Sequence, residues 1–169
     1  GEVLVQRGEL TPKQVKEIVR EQKDAQAQLP KRRIGDFELR SKLGEGGMGA
    51  VYRAKQVSID RDIALKILPQ DLAKDPDFRE RFLREARAVA KLNHPNIVTG
   101  IDVGEIGGTY YFAMEYVDGP SLGDRLKQSG KLTEDDGLEY VRQTALALQH
   151  AHANGFLHRD VKPDNILVN

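Results

Sequence analysis

The residues best suited to chemistry lie close together near the end of the chain, in the run His158-Arg159-Asp160-Val161-Lys162-Pro163-Asp164-Asn165-Ile166-Leu167-Val168-Asn169. Asn165 follows Asp160 by five positions, with Lys162 and Pro163 between them. A carboxylate so placed can orient a hydroxyl nucleophile. The ammonium can neutralise a phosphoryl group in transfer, and the amide oxygen can ligate Mg2+. The spacing points to phosphoryl transfer.

Such a reaction needs a cradle for the donor phosphates. Gly44-Glu45-Gly46-Gly47-Met48-Gly49-Ala50-Val51 contains G-x-G-x-x-G followed by x-V. A dinucleotide site would require these glycines to open a helix, with an acidic residue about 20 positions on. Here Val51-Tyr52-Arg53-Ala54 is strand-like and position 66 is a lysine, so that reading fails. A glycine loop at a hairpin instead lets backbone amides approach phosphate oxygens without side-chain obstruction. In Ala64-Leu65-Lys66, residues two apart share one face of a strand. Ala64 leaves room for a flat purine, and the Lys66 ammonium reaches beyond it toward phosphates. Glu85, on the helix that follows, supplies a counter-anion for Lys66.

These groups need a scaffold, and its elements are legible. Extended runs cover Phe37 to Leu43, Ala50 to Gln56, Asp62 to Leu68, Ile97 to Val103 and Thr109 to Tyr116. Pro76 starts a helix in which Phe78, Phe82, Ala86, Val89 and Ala90 share a face up to about Leu92. Ser121 caps a short helix ending near Gly130. Thr133, with Asp136 three residues on, opens a longer one that carries Leu138, Val141, Ala145 and Leu148 and closes at Gly155. Strands first and helices afterwards predict an α+β plan, a sheet-rich lobe followed by a helical one. Residues 1–33 read as a separate lead-in. Thr11-Pro12 begins a helix to about Gln28 whose narrow apolar stripe, Val15, Ile18 and Val19, suits a spacer.

Composition removes several classes. Lysine plus arginine and aspartate plus glutamate both number 26, so no net field draws the chain to nucleic acid or membrane. Lys31-Arg32-Arg33 is a solvated linker rather than a basic face. Cysteine is absent, which excludes disulfides, thiolate catalysis and cysteine-bound zinc. No run approaches the roughly 20 apolar residues of a membrane span. A cytoplasmic domain is expected. The chain opens at Gly1 without methionine and stops just after the Asp160 loop, as a piece of a longer protein would, with room for an anchor in sequence beyond it.

Taken together, the motifs resemble a eukaryotic-type (Hanks-type) protein serine/threonine kinase of the bacterial style. The resemblance covers about residues 36–169. It rests on Leu-Gly-Glu-Gly-Gly-Met-Gly-Ala-Val-Tyr (43–52), Ile-Ala-Leu-Lys (63–66), Arg-Phe-Leu-Arg-Glu-Ala (81–86), His-Pro-Asn-Ile-Val (94–98), Met-Glu-Tyr-Val (114–117) and His-Arg-Asp-Val-Lys-Pro-Asp-Asn (158–165). It implies an antiparallel five-stranded N-lobe with its C helix over residues 34–117, and the first helices of an incomplete C-lobe over 118–169. ATP and Mg2+ are the implied cofactors, and protein serines and threonines the substrates. Lys66 would bind the α- and β-phosphates and pair with Glu85. Leu43, Gly44, Glu45, Gly46, Gly47, Met48, Gly49 and Ala50 would cover the nucleotide. Val51, Ala64 and Leu167 would sandwich the purine, Met114 would be the gatekeeper, and Glu115, Tyr116 and Val117 would form the hinge. Asp160 would orient the substrate hydroxyl, Lys162 would meet the γ-phosphate and Asn165 would ligate Mg2+. His158 is expected to pack within the loop rather than act as a base.

The family's Asp-Phe-Gly motif is missing from these residues. That removes its principal Mg2+ ligand and a support for the inward position of Glu85, so the 169 residues alone are expected to be inactive. They are also expected to be marginally folded, with the Leu138–Leu148 face open to solvent. Two rivals carry different expectations. A pseudokinase or partner-binding module would share the fold but carry an altered Mg2+ aspartate. A small-molecule kinase of the aminoglycoside or choline type would usually show glycine at position 159 and lack the Lys162-Pro163 pair.

Overall fold

The structure, a computed structural model, describes residues 33–47 and 49–169 together with Thr11. The helix expected between Pro12 and Gln28 and the loop residue Met48 lie outside the described residues. Six strands form one antiparallel sheet: β1 (Arg33–Ile34), β2 (Phe37–Gly46), β3 (Gly49–Gln56), β4 (Arg61–Ile67), β5 (Gly100–Ile106) and β6 (Thr109–Glu115), in the spatial order β1-β2-β3-β4-β6-β5. The five expected strands are all present. The two-residue β1 was not anticipated, because Arg33-Ile34 is too short to show alternation.

Alternation along β4 builds the sheet's two faces. Ile63 and Leu65 point one way, into a core with Ile34, Phe37, Ala54, Tyr111 and Ala113. Ala64 and Lys66 point the other way. On that second side α2 (Pro76–Val89) lays Phe82 and Ala86 against Leu68 and Phe112. Asp75 caps α2 by accepting the Asp77 N–H at 2.9 Å, and Pro76 occupies the first turn, where its missing N–H costs nothing. The short helix α1 (Gln70–Ala73) precedes it and has no periodic signature of its own.

The fifth strand begins three residues later than the sequence pattern suggests. His94-Pro95-Asn96 folds into a tight turn in which the Ile97 N–H donates to the His94 carbonyl at 3.0 Å and the Asn96 N–H to His94 Nδ1 at 3.1 Å. Ile97 and Val98 are therefore used in the turn. At Gly100 the strand crosses the end of α2 so closely that a Cβ would lie 2.7 Å from the Ala90 Cα.

Two further helices follow the sheet. α3 (Leu122–Ser129) starts in a capping box between Ser121 and Asp124 and ends at Gly130, whose φ of +74° needs glycine. α4 (Glu134–Ala153) is capped by Thr133, which accepts the Asp136 N–H at 3.2 Å. Among the described residues no helix is long and apolar enough to cross a membrane.

Candidate active site

The glycine loop is the tip of the β2–β3 hairpin. Gly46 pairs with Gly49, and the chain continues as a strand rather than a helix. Gly49 has a φ of +117°, and a Cβ there would lie 2.1 Å from the Ile67 carbonyl oxygen and 2.9 Å from Pro69 Cδ. No other residue fits. At Gly44, Gly46 and Gly47 a Cβ would meet nothing within 4 Å, so their backbone is open to an incoming ligand. Leu43 is 48% exposed, and Glu45 is exposed and paired with Lys42.

Behind the hairpin, strand register gathers the expected purine-facing residues. Lys66 stands opposite Val51 on β3, and Ala64 stands opposite Met114 on β6. Residues directly opposite in an antiparallel pair share a face, so Val51, Ala64, Lys66 and Met114 line one surface. Ala50, the neighbour of Val51, alternates to the other face. Past Met114, Glu115 is fixed on both sides of Thr99: its N–H donates to the Thr99 carbonyl at 2.9 Å, and its Oε2 accepts the Thr99 N–H at 3.2 Å. Tyr116 and Val117 then lead out of the sheet, half-buried.

Lys66 and Glu85 are not brought together. Among the described ion pairs none joins them, and Glu85 is exposed. The Lys66 ammonium instead lies 5.9 Å from the centroid of the Phe82 ring. Phe82 precedes Glu85 by three positions, so the two are neighbours on α2, and it is the ring that faces the lysine.

The loop after α4 is built around Asp160. Its Oδ2 is 2.9 Å from Lys162 Nζ and accepts from Asn165 Nδ2 at 3.0 Å, while the same amide nitrogen donates to the Asp160 carbonyl at 2.8 Å. The bond from Lys162 first, and that from Asn165 second, hold the Asp160 carboxyl below the usual aspartate range. Lys162 is raised in turn, chiefly by its bond to Asp160. With Nδ2 engaged, Asn165 Oδ1 is the atom left to meet a ligand. His158 is exposed rather than packed inside, and its Nδ1 accepts the Asp160 N–H at 3.3 Å. Arg159 has a φ of +62°, a left-handed conformation costly for a residue with a side chain and typical of functional loops.

Contacts that sequence reading missed hold this loop in place. The Leu122 N–H donates to the Ile166 carbonyl at 2.7 Å, the Val168 N–H donates to the Pro120 carbonyl at 3.0 Å, and Ser121 bridges Leu167. Gly119 and Gly123 permit the approach. A Cβ on Gly119 would lie 2.0 Å from the Val168 carbonyl oxygen, and one on Gly123 would lie 2.6 Å from Asp164 Oδ1. The two glycines, four positions apart around the Ser121 cap, are a signal that could have been read.

The fit to ATP and to Mg2+ differs. An open glycine hairpin, a small Ala64 and a lysine beyond it suit a purine triphosphate. No group of three His, Asp or Glu able to hold a metal exists among the described residues. One neutral amide oxygen does not replace water around Mg2+, so these side chains do not fit a complete metal site by themselves.

An antiparallel sheet with a glycine hairpin and a lysine, joined through a short connector to helices and an Asp-x-Lys-x-x-Asn loop, defines the protein-kinase class of phosphotransferases. The family model for the protein kinase domain matches residues 37–169, and the chain belongs to that family, in its bacterial Hanks-type serine/threonine branch. It is 42% identical over 140 residues to serine/threonine-protein kinase PrkC of Bacillus subtilis, covering 83% of this chain and 22% of that protein. It is 45% identical over 136 residues to PknB of Mycobacterium leprae, covering 78% of this chain and 22% of that one. The crystal structure of the Mycobacterium tuberculosis PknI kinase domain is similar at a TM-score of 0.70 and 35% identity, over 81% of this chain and 55% of that one. The chain thus spans 22% of the length of these curated relatives and little more than half of the solved kinase domain.

Proposed function

We propose that this chain carries the ATP lobe and catalytic loop of a protein serine/threonine kinase, which moves the γ-phosphoryl group of ATP to a serine or threonine hydroxyl of a protein. The observation that carries the reading is the Asp160 cluster. One carboxylate oxygen is shared by an ammonium and an amide on a loop tied to α3, and the hairpin and Lys66 stand ready for phosphates. In this reading Asp160 is ionised at neutral pH as any aspartate is, and its bonds to Lys162 and Asn165 aim the carboxylate so that it can orient the substrate hydroxyl and accept its proton. Lys162 turns from Asp160 to the γ-phosphate oxygens as charge moves. Lys66 holds the α- and β-phosphates, Val51, Ala64 and Leu167 sandwich the purine, and the backbone of Glu115 to Val117 reads its edge. Most of the catalysis is then positioning and charge neutralisation.

Mg2+ would supply further neutralisation of the phosphates, with Asn165 Oδ1 as one of its ligands. Because a complete metal site is not formed by these residues, the 169-residue chain binds nucleotide but does not transfer phosphate. In this reading the work is done in the cytoplasm, where ATP is supplied, with 34–117 as the ATP lobe and 118–169 as the start of the helical lobe. Calorimetric titration with ATP tests the reading. Lys66→Met should weaken binding by about 10- to 100-fold, the loss of charge-assisted bonds worth ~1.5–3 kcal/mol. Unchanged affinity would remove Lys66 from the site.

The separation of Lys66 from Glu85 favours a second reading, in which the whole domain is a pseudokinase or partner-binding module without turnover. Transfer from ATP to a protein serine by a chain extended through a complete kinase domain, lost on Asp160→Asn, would exclude it.

A further inference from the structure

On the face shared by Val51, Ala64 and Met114, at the end away from Lys66, runs a row of charged and aromatic groups that the phosphoryl-transfer mechanism does not use. Arg53 on β3 stands directly opposite Ala64, and Ala64 opposite Met114, so Arg53 shares the face that would receive the purine. It follows Val51 by two positions on the same strand, one step further out. Its Nη2 lies 2.5 Å from Oδ2 of Asp62, and its guanidinium carbon lies 4.6 Å from the centroid of the Tyr116 ring. The Tyr116 hydroxyl in turn donates to Asp118 Oδ1 at 3.3 Å. Four side chains from β3, β4 and the segment after β6 are linked in series.

We infer that Arg53 is a positioning residue for the base end of the nucleotide site, a brace that ties the glycine hairpin to Tyr116 and fixes the backbone between Glu115 and Val117. The inference rests on the nucleotide reading above. Tyr116 sits between the two residues whose main chain would read the purine edge, and its ring has one face held by a cation. Asp62 anchors that cation, its Oδ2 holding the Arg53 Nη2 while the guanidinium carbon lies over the ring. Asp118 restrains the far end of the same ring. Arg53 and Asp62 have side chains 38% exposed, so the brace lies outside the core. Its replacement spares the fold. Met in place of Arg keeps the apolar stem and removes only the charged fork.

Adenosine is the probe that isolates this role. It carries no phosphate, so the long-range field of a lost cation on the triphosphate does not enter. In calorimetric titrations, Arg53→Met should weaken adenosine binding about two- to fivefold, the range expected of an exposed cation–π contact. Asp62→Asn, which leaves the arginine in place but unanchored, should act in the same direction. In a Tyr116→Leu background Arg53→Met should have no further effect on adenosine. In a Tyr116→Phe background, which keeps the ring, its effect should persist. Lys66→Met should reduce ATP binding and spare adenosine. Adenosine affinity unchanged by Arg53→Met, or reduced equally with and without the Tyr116 ring, overturns the brace while leaving the nucleotide reading intact. A parent chain that binds neither ATP nor adenosine overturns both.

Discussion

At the scale of single residues, the chemistry assigned to the Asp160 cluster divides cleanly from nucleotide binding. Asp160→Asn keeps the shape of the loop and the acceptor for Lys162 but loses the base. In a protein with a complete kinase domain it should lower turnover by about 10²–10⁴-fold and leave ATP affinity near the parent value. Equal losses of both, measured by titration and steady-state kinetics, would count against the assigned role. Gly49 makes a prediction of a different kind. Its left-handed φ and the Ile67 carbonyl 2.1 Å from any Cβ leave no room for alanine. Gly49→Ala should cost about 1–3 kcal/mol in denaturant unfolding. Little or no loss would mean that the hairpin tip opens without strain. Asp160, Lys162 and Asn165 were legible from spacing alone, because their contacts are local. The Lys66–Glu85 relation was not. It depends on how α2 rotates against the sheet, and here that rotation presents the Phe82 ring to the lysine.

Elements position those residues through close backbone approaches. The segment Ile166–Val168, which includes the proposed purine contact Leu167, is held by Pro120–Leu122. Gly119→Ala would place a Cβ 2.0 Å from the Val168 carbonyl oxygen. Overpacking of this kind costs ~1–3 kcal/mol, relieved by parting the two segments. ATP affinity should then fall about tenfold, and an unchanged titration would show that Leu167 does not floor the purine site. Helices α2, α3 and α4 were legible because their caps are local chemistry, Asp75, Ser121 and Thr133 each accepting a first-turn N–H, whereas the uncapped α1 was not. The start of β5 was misread because Ile97 and Val98 look like strand residues. Their β propensity is overruled by the His94-Pro95-Asn96 turn. The α4 face carrying Leu138 and Val141 is open as expected, at 63% and 68% exposure.

For the whole molecule, that open face and the pH dependence of stability are the quantities to watch. The described residues bring the sheet lobe and α4 together through Asn96 Nδ2, which donates to Gln143 Oε1 at 2.7 Å, and through the His94 and His150 rings, 5.3 Å apart. Exposed Leu138, Val141 and Leu146 should make the purified chain associate with rising concentration, as light scattering would show. Glu139 is held at about 2 by Arg142 first and Gln143 second. Its folded value lies below the ordinary 4.5, so its contribution is in place above that pH and is lost as pH falls through about 2. Tyr111 is pushed up to about 12, by burial first and then by its bond to Asp102. Its contribution is full below pH 10.0 and is lost as pH rises through about 12. Thermal melts of Tyr111→Phe should therefore show a shallower alkaline loss than the parent over that window. An identical slope would mean the hydroxyl is not held neutral by the fold.

The central claim is that residues 37–169 hold a working ATP lobe and catalytic loop. The most direct test is a chimera in which they replace the matching segment of Bacillus subtilis PrkC, assayed for transfer of labelled γ-phosphate to protein serine. Transfer that is abolished by Asp160→Asn, with ATP still bound, is the predicted result. A folded, ATP-binding chimera without transfer, or transfer indifferent to Asp160→Asn, would contradict it.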